Sequence, residues 1–422
     1  MPTVSRLIIK GGTVLTMAGA NHAAADVLVE DGWISEIGPN LRDRGAEVVD
    51  ASDAIVMPGF VDAHRHLSTT LHKNAGSGRP DPATAGSMGV DDVYAATLLG
   101  LLGAAASGTT SVVDRYDATL STEHVDAALR AHVDAGLRTV LVIDIADDAG
   151  HEQLRRLGAT ETSPLQALAA GAPDPAGDPA ATAAAIARAR ELGLRAHAHA
   201  GRGADSKGSV AALADMGALG DDVTLVHCTQ LGDTDLDAVA SAGAHVVITP
   251  STEMAEGIGM PPVQQFLDRE IRPGLGVDVE SLAPGDVLAQ MRSMISLQHA
   301  MYFDLKLAGK AGLPNLLTTR EVIRNGTIHG ARAAGLADRA GSLEAGKRAD
   351  VVVLRTDRPN IFPINDPIGA VVWGMDTSNI DWVLVAGTPV VADGRSTADV
   401  GRASDLATEA ARRLVGTGGG GS

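Results

Sequence analysis

Met57-Pro-Gly-Phe-Val-Asp-Ala-His-Arg-His66 is the stretch that decides the fold. It is a short apolar run that ends in His-x-His. Successive side chains of a β-strand point to opposite faces, so His64 and His66 share one face of a strand. Two imidazoles at the end of a strand can be two ligands of one metal ion. Taken alone, the pair fits two chance histidines on a half-buried strand equally well, so the context has to decide.

From Pro58 onward, apolar strand patterns alternate with alanine-rich helical patterns. Such alternation predicts parallel strands joined by helical crossovers. Eight units of this kind fit a (β/α)8 barrel of about 250 residues. The fourth strand is the least distinct, because LQALAAG is equally compatible with a helix. The eight strand candidates, in chain order, are GFVDAHRH, TTSVVDRY, RTVLVIDIA, PLQALAAG, LRAHAHAG, VTLVHCT, AHVVITPS and RPGLGVDVES.

Both ends of the chain have a different rhythm, with short strands separated by Gly-Gly and Asp-Gly turns that are typical of hairpins. Near the C-terminus the strand candidates are ADVVVLRT, AVVWGM and DWVLVAGTPVVADG. The two ends are expected to pair into one small β domain, with the barrel inserted between them. The predicted fold class is therefore α/β, a (β/α)8 TIM barrel with a small β-sandwich. The predicted boundaries are 1–57 plus 341–400 for the β-sandwich, 58–340 for the barrel, 401–415 for a final helix and 416–422 for a flexible tail.

Charge and cysteine content limit the possible partners of this chain of 422 residues. The formal net charge of −18 argues against nucleic acid and anionic membranes, which need a basic footprint. Cys228 is the single cysteine, which excludes an intrachain disulfide and fits a reducing compartment. The N-terminus lacks a signal-peptide pattern, and the default expectation is a cytoplasmic protein. A barrel coated by alanine-rich helices favours a homo-oligomer, either a dimer or a tetramer.

Functional residues of a (β/α)8 barrel lie at the C-terminal ends of its strands. Strand one ends in His64 and His66, strand five ends in His199, and strand eight ends near Asp278. Three histidines and one aspartate form a donor set for one divalent transition metal, with Zn²⁺ favoured and Fe²⁺ possible. Such a metal lowers the pKa of a bound water to near 7 and makes hydroxide available at neutral pH. His197 shares the face of His199 one layer deeper, as an inner-core residue or a substrate contact.

Two further strand-end residues complete the predicted catalytic set. Asp278 can both touch the metal and accept the proton of the water, and His227, at the end of strand six, can orient or polarise the substrate. Tyr116, at the end of strand two, lies over the predicted mouth and can contact a small-molecule substrate.

In its strand-end motifs the chain resembles the amidohydrolase superfamily of metal-dependent hydrolases, and most of all its cytosine-deaminase and triazine-chlorohydrolase branch. The resemblance covers residues 5 to about 395. It implies a metal held by His64, His66, His199 and Asp278, and a catalytic role for His227. Members with two metals bridge them through a carboxylated lysine on strand four, and PLQALAAG has no lysine, so a single metal is expected. The matching segments are PGFVDAHRH, AHAHAG, VHCTQL, GLGVDVES, NGTIHGARAAGL and GSLEAGKRADVVVL.

One departure from the deaminase branch affects the expected chemistry. Where that branch has a proton-relaying glutamate three residues after the histidine of strand five, this chain has Arg202. Arginine is permanently charged and cannot relay protons. Glu280 is the first candidate to replace the relay and Glu253 the second, and Glu253 is also expected to contact the substrate. Arg202 can instead grip an anionic group of the substrate, or point outward from a surface loop.

Three functional hypotheses follow from these residues. The first is a mononuclear metal-dependent hydrolase that attacks an sp² carbon with metal-bound hydroxide. Its target is a C–N bond other than a peptide bond, in a heterocyclic amine or a cyclic amide. The second is a metal-dependent lyase or decarboxylase acting on an anionic substrate held by Arg202. The third is a binding protein that has kept the barrel and lost catalysis, which the survival of all four ligand positions disfavours.

Overall fold

The structure is a computed structural model that describes residues 6–43, 45–73, 86–160 and 163–414. The predicted tail at 416–422 lies outside the described residues. Within these ranges, no helix combines the length and the apolar character that a membrane span requires.

Eight parallel strands follow one another in chain order and form the barrel. The backbone N–H of Asp278 donates to the His64 carbonyl at 3.0 Å, and the N–H of His66 donates to the Asp278 carbonyl at 2.9 Å. These two hydrogen bonds join the segment after strand eight to strand one and close the ring. Barrel strands one to eight are Phe60–Arg65, Thr109–Arg115, Arg138–Asp144, Gln166–Ala172, Ala196–Ala200, Val223–His227, His245–Ile248 and Gly274–Leu275.

The fourth segment, which the sequence left between strand and helix, is a strand in the structure. Leu168 pairs with Leu141 of strand three, and Gly171 pairs with His197 of strand five. Hydrogen bonds to strands on both sides satisfy its backbone, and small alanine side chains fit between those neighbours. The strand conformation is therefore set by its neighbours rather than by local propensity.

Gly276 lies where strand eight approaches strand one most closely. A Cβ atom there would stand 2.6 Å from the carbonyl oxygen of His64. The structure shows that the backbone of strand one occupies this space, so Gly276 allows the barrel to close next to a metal-ligand candidate.

Helices surround the barrel, and side-chain caps begin several of them. Ser121, Asp147 and Asp178 each accept backbone N–H groups from the first turn of the helix that follows. The segment TTREVIRNGTIHGARAAGL contains a wide helical turn at Asn325–His329 between two short helices. The helices are Val90–Ala106, Thr122–Ala135, Asp148–Gly158, Pro179–Glu191, Ser209–Asp215, Asp233–Ala242, Pro250–Glu256, Val263–Asp268, Val287–Leu307, Thr319–Arg324, Gly330–Ala333, Pro367–Gly369 and Val400–Leu414.

The two ends of the chain form one separate sheet of nine strands. Ala54–Pro58 from the N-terminal part pairs antiparallel with Val351–Arg355 from the C-terminal part, as expected from the sequence. The expected strand AVVWGM is wrong, because Ala370–Gly374 is a wide helical turn. The nine strands are Arg6–Val14, His22–Glu30, Trp33–Gly38, Glu47–Asp50, Ala54–Pro58, Val351–Arg355, Ile380–Val385, Thr388–Ala392 and Arg395–Ser396.

A buried ion pair fastens this sheet to the barrel. Both oxygens of Asp350 accept hydrogen bonds from Arg138 at the start of barrel strand three, at 2.7 and 3.0 Å. Inside the barrel, Val61, Val113 and Val142 belong to one small apolar cluster. This packed apolar interior fills the barrel below the strand ends, and the polar residues at those ends lie directly above it.

Candidate metal centre

Three imidazoles meet at the C-terminal end of the barrel. The Nε2 atom of His64 lies 3.0 Å from Nε2 of His66 and 3.2 Å from Nε2 of His199. One ligand atom from each of the three residues lies within 4.8 Å of the others. Barrel geometry explains the convergence, because His64 lies at the end of strand one, His66 directly after it, and His199 near the end of strand five.

The spacing of these nitrogen atoms fits a single bound cation. Tetrahedral zinc with nitrogen ligands at about 2.1 Å separates those ligands by about 3.4 Å. The carboxylate of Asp278 completes the set, with Oδ1 at 3.2 Å from Nε2 of His66 and 3.8 Å from Nε2 of His64. Three imidazoles and one carboxylate at these distances are a chemically suitable donor set for a divalent metal ion.

Burial keeps the imidazoles in the form that a metal requires. His64 and His199 are enclosed, and this burial lowers the pKa of each ring well below its usual value. The neighbouring positive groups lower these pKa values further, among them His66 for His64 and His64 for His199. A neutral imidazole offers its lone pair to a metal, so both rings are ready to bind one.

Asp117 is a site residue that the sequence reasoning missed. Its carboxylate forms a hydrogen bond with Nδ1 of His66, which leaves Nε2 of that ring facing the other imidazoles. A carboxylate behind a ligating histidine fixes the tautomer and the orientation of the ring. The only signal in the sequence is an acidic residue just after the end of strand two.

Two of the catalytic candidates have unusual backbone conformations. Asp278 has φ of 66° and His227 has φ of 76°, both in the left-handed region that non-glycine residues rarely adopt. Hydrogen bonds to strand one hold Asp278 in place, and those to its neighbours hold His227. Such strain persists only when the surroundings enforce it, and it is common where a side chain has to be aimed.

His227 faces the imidazole cluster, and contacts with Glu253 and Thr249 hold the opposite side of its ring. The centroid of its ring lies 5.2 Å from that of His199 and 5.9 Å from that of His64. Its Nδ1 atom lies 3.1 Å from Oε1 of Glu253 and 3.3 Å from the hydroxyl of Thr249. Its Nε2 atom is buried and has no hydrogen-bond partner among the described residues. The structure thus brings His227 and Glu253 together beside the metal-ligand candidates.

The structure gives Glu280 other partners than the metal cluster. Oε1 of Glu280 lies 2.7 Å from both Arg65 and Lys73, and Oε2 accepts a hydrogen bond from Thr70 at 3.1 Å. Burial alone would raise the pKa of this carboxyl, but the Arg65 and Lys73 charges outweigh it and lower the pKa. A catalytic role for Glu280 stays a prediction, and these contacts favour a structural one.

Arg202 lies at the rim of the site and is about one third exposed. Its guanidinium is 3.9 Å from the carboxylate of Glu256, a second acidic residue of the helix that carries Glu253. Asp174 follows strand four, and burial raises the pKa of its carboxyl, an effect that Arg202 partly offsets. Acidic side chains surround this arginine, so its charge is partly neutralised within the protein.

His197 lies one layer below His199, as expected from the alternation of strand five. Burial lowers the pKa of its ring to about 3, so the ring is neutral. In the same layer, Arg115 donates to Asp144 at 2.8 Å and packs against Gly171 of strand four. A Cβ on this glycine would lie 2.0 Å from the guanidinium, so Arg115 fills the space where a strand-four side chain would stand.

The remaining candidates are enclosed. Tyr116 is 5% exposed and its hydroxyl donates to the carbonyl of Thr119. Burial raises its pKa, so it stays protonated. Cys228 is fully buried, and burial raises the pKa of its thiol, which makes it a poor nucleophile. A substrate contact for Tyr116 therefore stays a prediction.

Comparison with known proteins places this geometry in context. The profile of the amidohydrolase family matches residues 55–390. A 5-methylthioadenosine/S-adenosylhomocysteine deaminase of Desulforudis audaxviator is 28% identical, over 97% of this chain and 99% of the relative.

Two solved structures share the fold. A zinc-bound adenosine deaminase from Xanthomonas campestris superimposes with a TM-score of 0.84 at 22% identity, over 97% of this chain and 98% of the other. An atrazine chlorohydrolase from Arthrobacter aurescens, complexed with zinc, gives a TM-score of 0.83 at 21% identity, over 96% of this chain and all of the other. The predicted barrel with its small β domain is confirmed.

Proposed function

The chain belongs to the amidohydrolase family, and we propose that it hydrolytically deaminates an amino-substituted heterocycle. It is a metal-dependent hydrolase of C–N bonds other than peptide bonds. The finer assignment to deamination rests on relatives such as the 5-methylthioadenosine/S-adenosylhomocysteine deaminase, together with the site geometry. The lyase alternative suggested by Arg202 finds no support among these relatives.

One observation carries the proposal, namely the convergence of three imidazole Nε2 atoms and the Asp278 carboxylate at one buried point. We propose that His64, His66, His199 and Asp278 hold a single zinc ion, with Fe²⁺ as the alternative that the same donors accept. A metal bound there lowers the pKa of a water molecule to near 7 and polarises the electrophile. The zinc-bound relatives of the same fold support this choice.

The residues of the chain handle the protons of the reaction. Asp278 accepts the proton that water releases when its oxygen bonds to the ring carbon that bears the amine. The amine leaves as ammonia once a proton has reached it, and the ring carbon ends with a C–O bond in place of the C–N bond. His227 presents Nε2 to the same space and holds the substrate oxygen or nitrogen there.

Arg202 is the main departure from the relatives of the deaminase branch. We propose that it acts at the rim of the site as a substrate contact, because its position is partly exposed and its charge is shared with Glu256. The same departure keeps cyclic-amide hydrolysis as a second candidate, since an arginine cannot deliver a proton to a ring nitrogen.

Product analysis with zinc-loaded protein tests both candidates. Aminated purines, pyrimidines and their nucleosides are offered together with cyclic amides, and ammonia release is measured beside the product mass. Replacement of an amine by a hydroxyl indicates deamination, whereas the addition of a whole water molecule indicates ring opening. His199→Asn is the matched negative control, since it removes a proposed ligand. Absence of turnover with both substrate groups would overturn the proposal.

The surface and the cysteine content lead to proposals on assembly and location. Phe303 is 45% exposed and Leu307 is 89% exposed at the end of the helix Val287–Leu307. Exposed apolar side chains of this size are typical of contact surfaces, and we propose a dimer or a tetramer. Light scattering of the purified protein would measure this, and a monomer would contradict it. A cytoplasmic location is proposed from the single cysteine, and cell fractionation would test it.

A further inference from the structure

Glu253 is a fully buried carboxylate with an unusual set of neighbours. It lies in the short helix Pro250–Glu256 that follows barrel strand seven. Its Oε1 atom accepts the backbone N–H of Thr249 at 2.8 Å. The same oxygen lies 3.3 Å from the Thr249 hydroxyl and 3.1 Å from Nδ1 of His227. One oxygen therefore serves three potential donors.

A helix-capping role explains only part of this arrangement. Accepting the N–H of Thr249 is a contact of the capping type, which is a modest stabilising interaction. Full burial of a carboxylate is far more unfavourable unless its charge is compensated. Burial accordingly raises the pKa of Glu253, and the hydrogen bond with His227 works in the opposite direction. The hydrogen bond with the imidazole of His227 thus offsets part of the free-energy cost of burying the Glu253 carboxylate.

The direction of this hydrogen bond follows from the ionised carboxylate that the proposal assigns to Glu253. That form has no proton to give, so Oε1 accepts both the backbone N–H of Thr249 and the Nδ1 proton of His227. In the neutral ring the lone pair lies on Nε2, the atom that has no partner among the described residues and that borders the imidazole cluster.

We propose that Glu253 is a positioning residue that fixes His227 in the Nδ1–H tautomer and directs the Nε2 lone pair at the substrate. This inference rests on the proposed function of the site and adds a component to it. Glu253 acts through His227, and its hydrogen bonds within the described part of the chain go to His227 and Thr249. Glu253 thus influences the reaction through His227, in a site where Arg202 occupies the position of the relay glutamate of the deaminase branch.

The test distinguishes the role of Glu253 as a hydrogen-bond acceptor from the role of its negative charge. Glu253→Met keeps the bulk of the side chain and removes the acceptor. Glu253→Gln can place its amide oxygen where Oε1 stands, which retains the acceptor and removes the charge. The tautomer is read by ¹⁵N NMR of zinc-loaded protein with labelled histidine, and the His227 signal is assigned by its loss in His227→Asn.

The expected result is an Nδ1–H signal in the wild type and in Glu253→Gln, and loss of this preference in Glu253→Met. With a substrate in hand, kcat falls by about 10²-fold or more in Glu253→Met, less in Glu253→Gln, and KM changes little. Zinc content stays the same. An Nε2–H signal in the wild type would overturn the proposal, as would a wild-type kcat in Glu253→Met or loss of zinc from it.

Asp235 supplies a matched control. It is fully buried and accepts the backbone N–H groups of Gly208, Val210 and Ala211. Asp235→Asn should lower stability while the His227 tautomer stays unchanged. The NMR measurement needs no substrate, so it can fail or succeed independently of the deaminase assignment. If no heterocycle is turned over and the Nδ1–H tautomer is present, the proposed function has failed and the positioning inference stands.

Discussion

Replacement of Gly276 by alanine should damage the metal centre through the backbone of the barrel. The new Cβ would lie 2.6 Å from the His64 carbonyl oxygen and 2.9 Å from the Cβ and the backbone nitrogen of His64. Ordinary contacts begin near 3.4 Å, so the two segments must separate by about 0.8 Å. All three of these atoms belong to a ligand candidate in a buried strand, so no flexible side chain can move aside.

The cost in stability follows from the hydrogen bonds that close the barrel. Separation stretches the two bonds between Asp278 and strand one, now 3.0 and 2.9 Å, beyond useful length. Two such bonds are worth about 1 kcal/mol each, and overpacking adds about 1–3 kcal/mol. We therefore expect Gly276→Ala to lower the free energy of unfolding by about 3–5 kcal/mol. A shift of this size exceeds the roughly 0.5 Å tolerance of a functional site, so zinc affinity should fall at least about tenfold.

Denaturant unfolding of the metal-free protein and competition with a chelating dye measure the two effects separately. Gly158→Ala is the matched control, since a Cβ there meets nothing within 4 Å in the helix Asp148–Gly158. This change should leave zinc affinity unaltered and stability equal or slightly higher. If Gly276→Ala kept the zinc affinity and the free energy of unfolding of the wild type, the idea that barrel closure positions His64 would be refuted.

Three further predictions concern the carboxylates of the site. Glu280→Gln should lower the free energy of unfolding by about 3 kcal/mol, because it leaves buried Arg65 with less compensation. The folded-state pKa of Glu280 lies below 4.5, so its contribution is complete above pH 4.5 and is lost as the pH falls through the folded value. The difference in the free energy of unfolding between wild type and variant, measured with denaturant, should therefore become smaller in acid. A difference that stays constant with pH would contradict this. Asp278→Asn should lower zinc affinity by more than about 100-fold, measured as metal content after dialysis, and a full complement of zinc would argue against a ligand role. Asp117→Asn should lower zinc affinity by about 10- to 100-fold through His66, and an unchanged dye-competition curve would exclude this support.

The sequence alone was sufficient for the fold class and for the metal-ligand candidates. Alternation of apolar strand patterns with alanine-rich helices predicts the barrel, because each pattern reflects a local periodicity. Strand alternation then puts His64, His66 and His199 on inward faces at strand ends, where barrel geometry makes them converge. The expected strand at Ala370–Gly374 was wrong, because the Asp366 side chain accepts the N–H groups of Ile368 and Gly369 and begins a helical turn that continues into this segment.

Tertiary structure alone decided the partners of the charged side chains. The sequence favoured Glu280 over Glu253 as the relay candidate, yet Glu280 pairs with Arg65 and Lys73, whereas Glu253 lies against His227. A carboxylate binds whichever donor lies within about 3 Å, and residues far apart in the chain supply those donors. Periodicity determines which face a side chain occupies, whereas only the packed fold determines what that side chain meets.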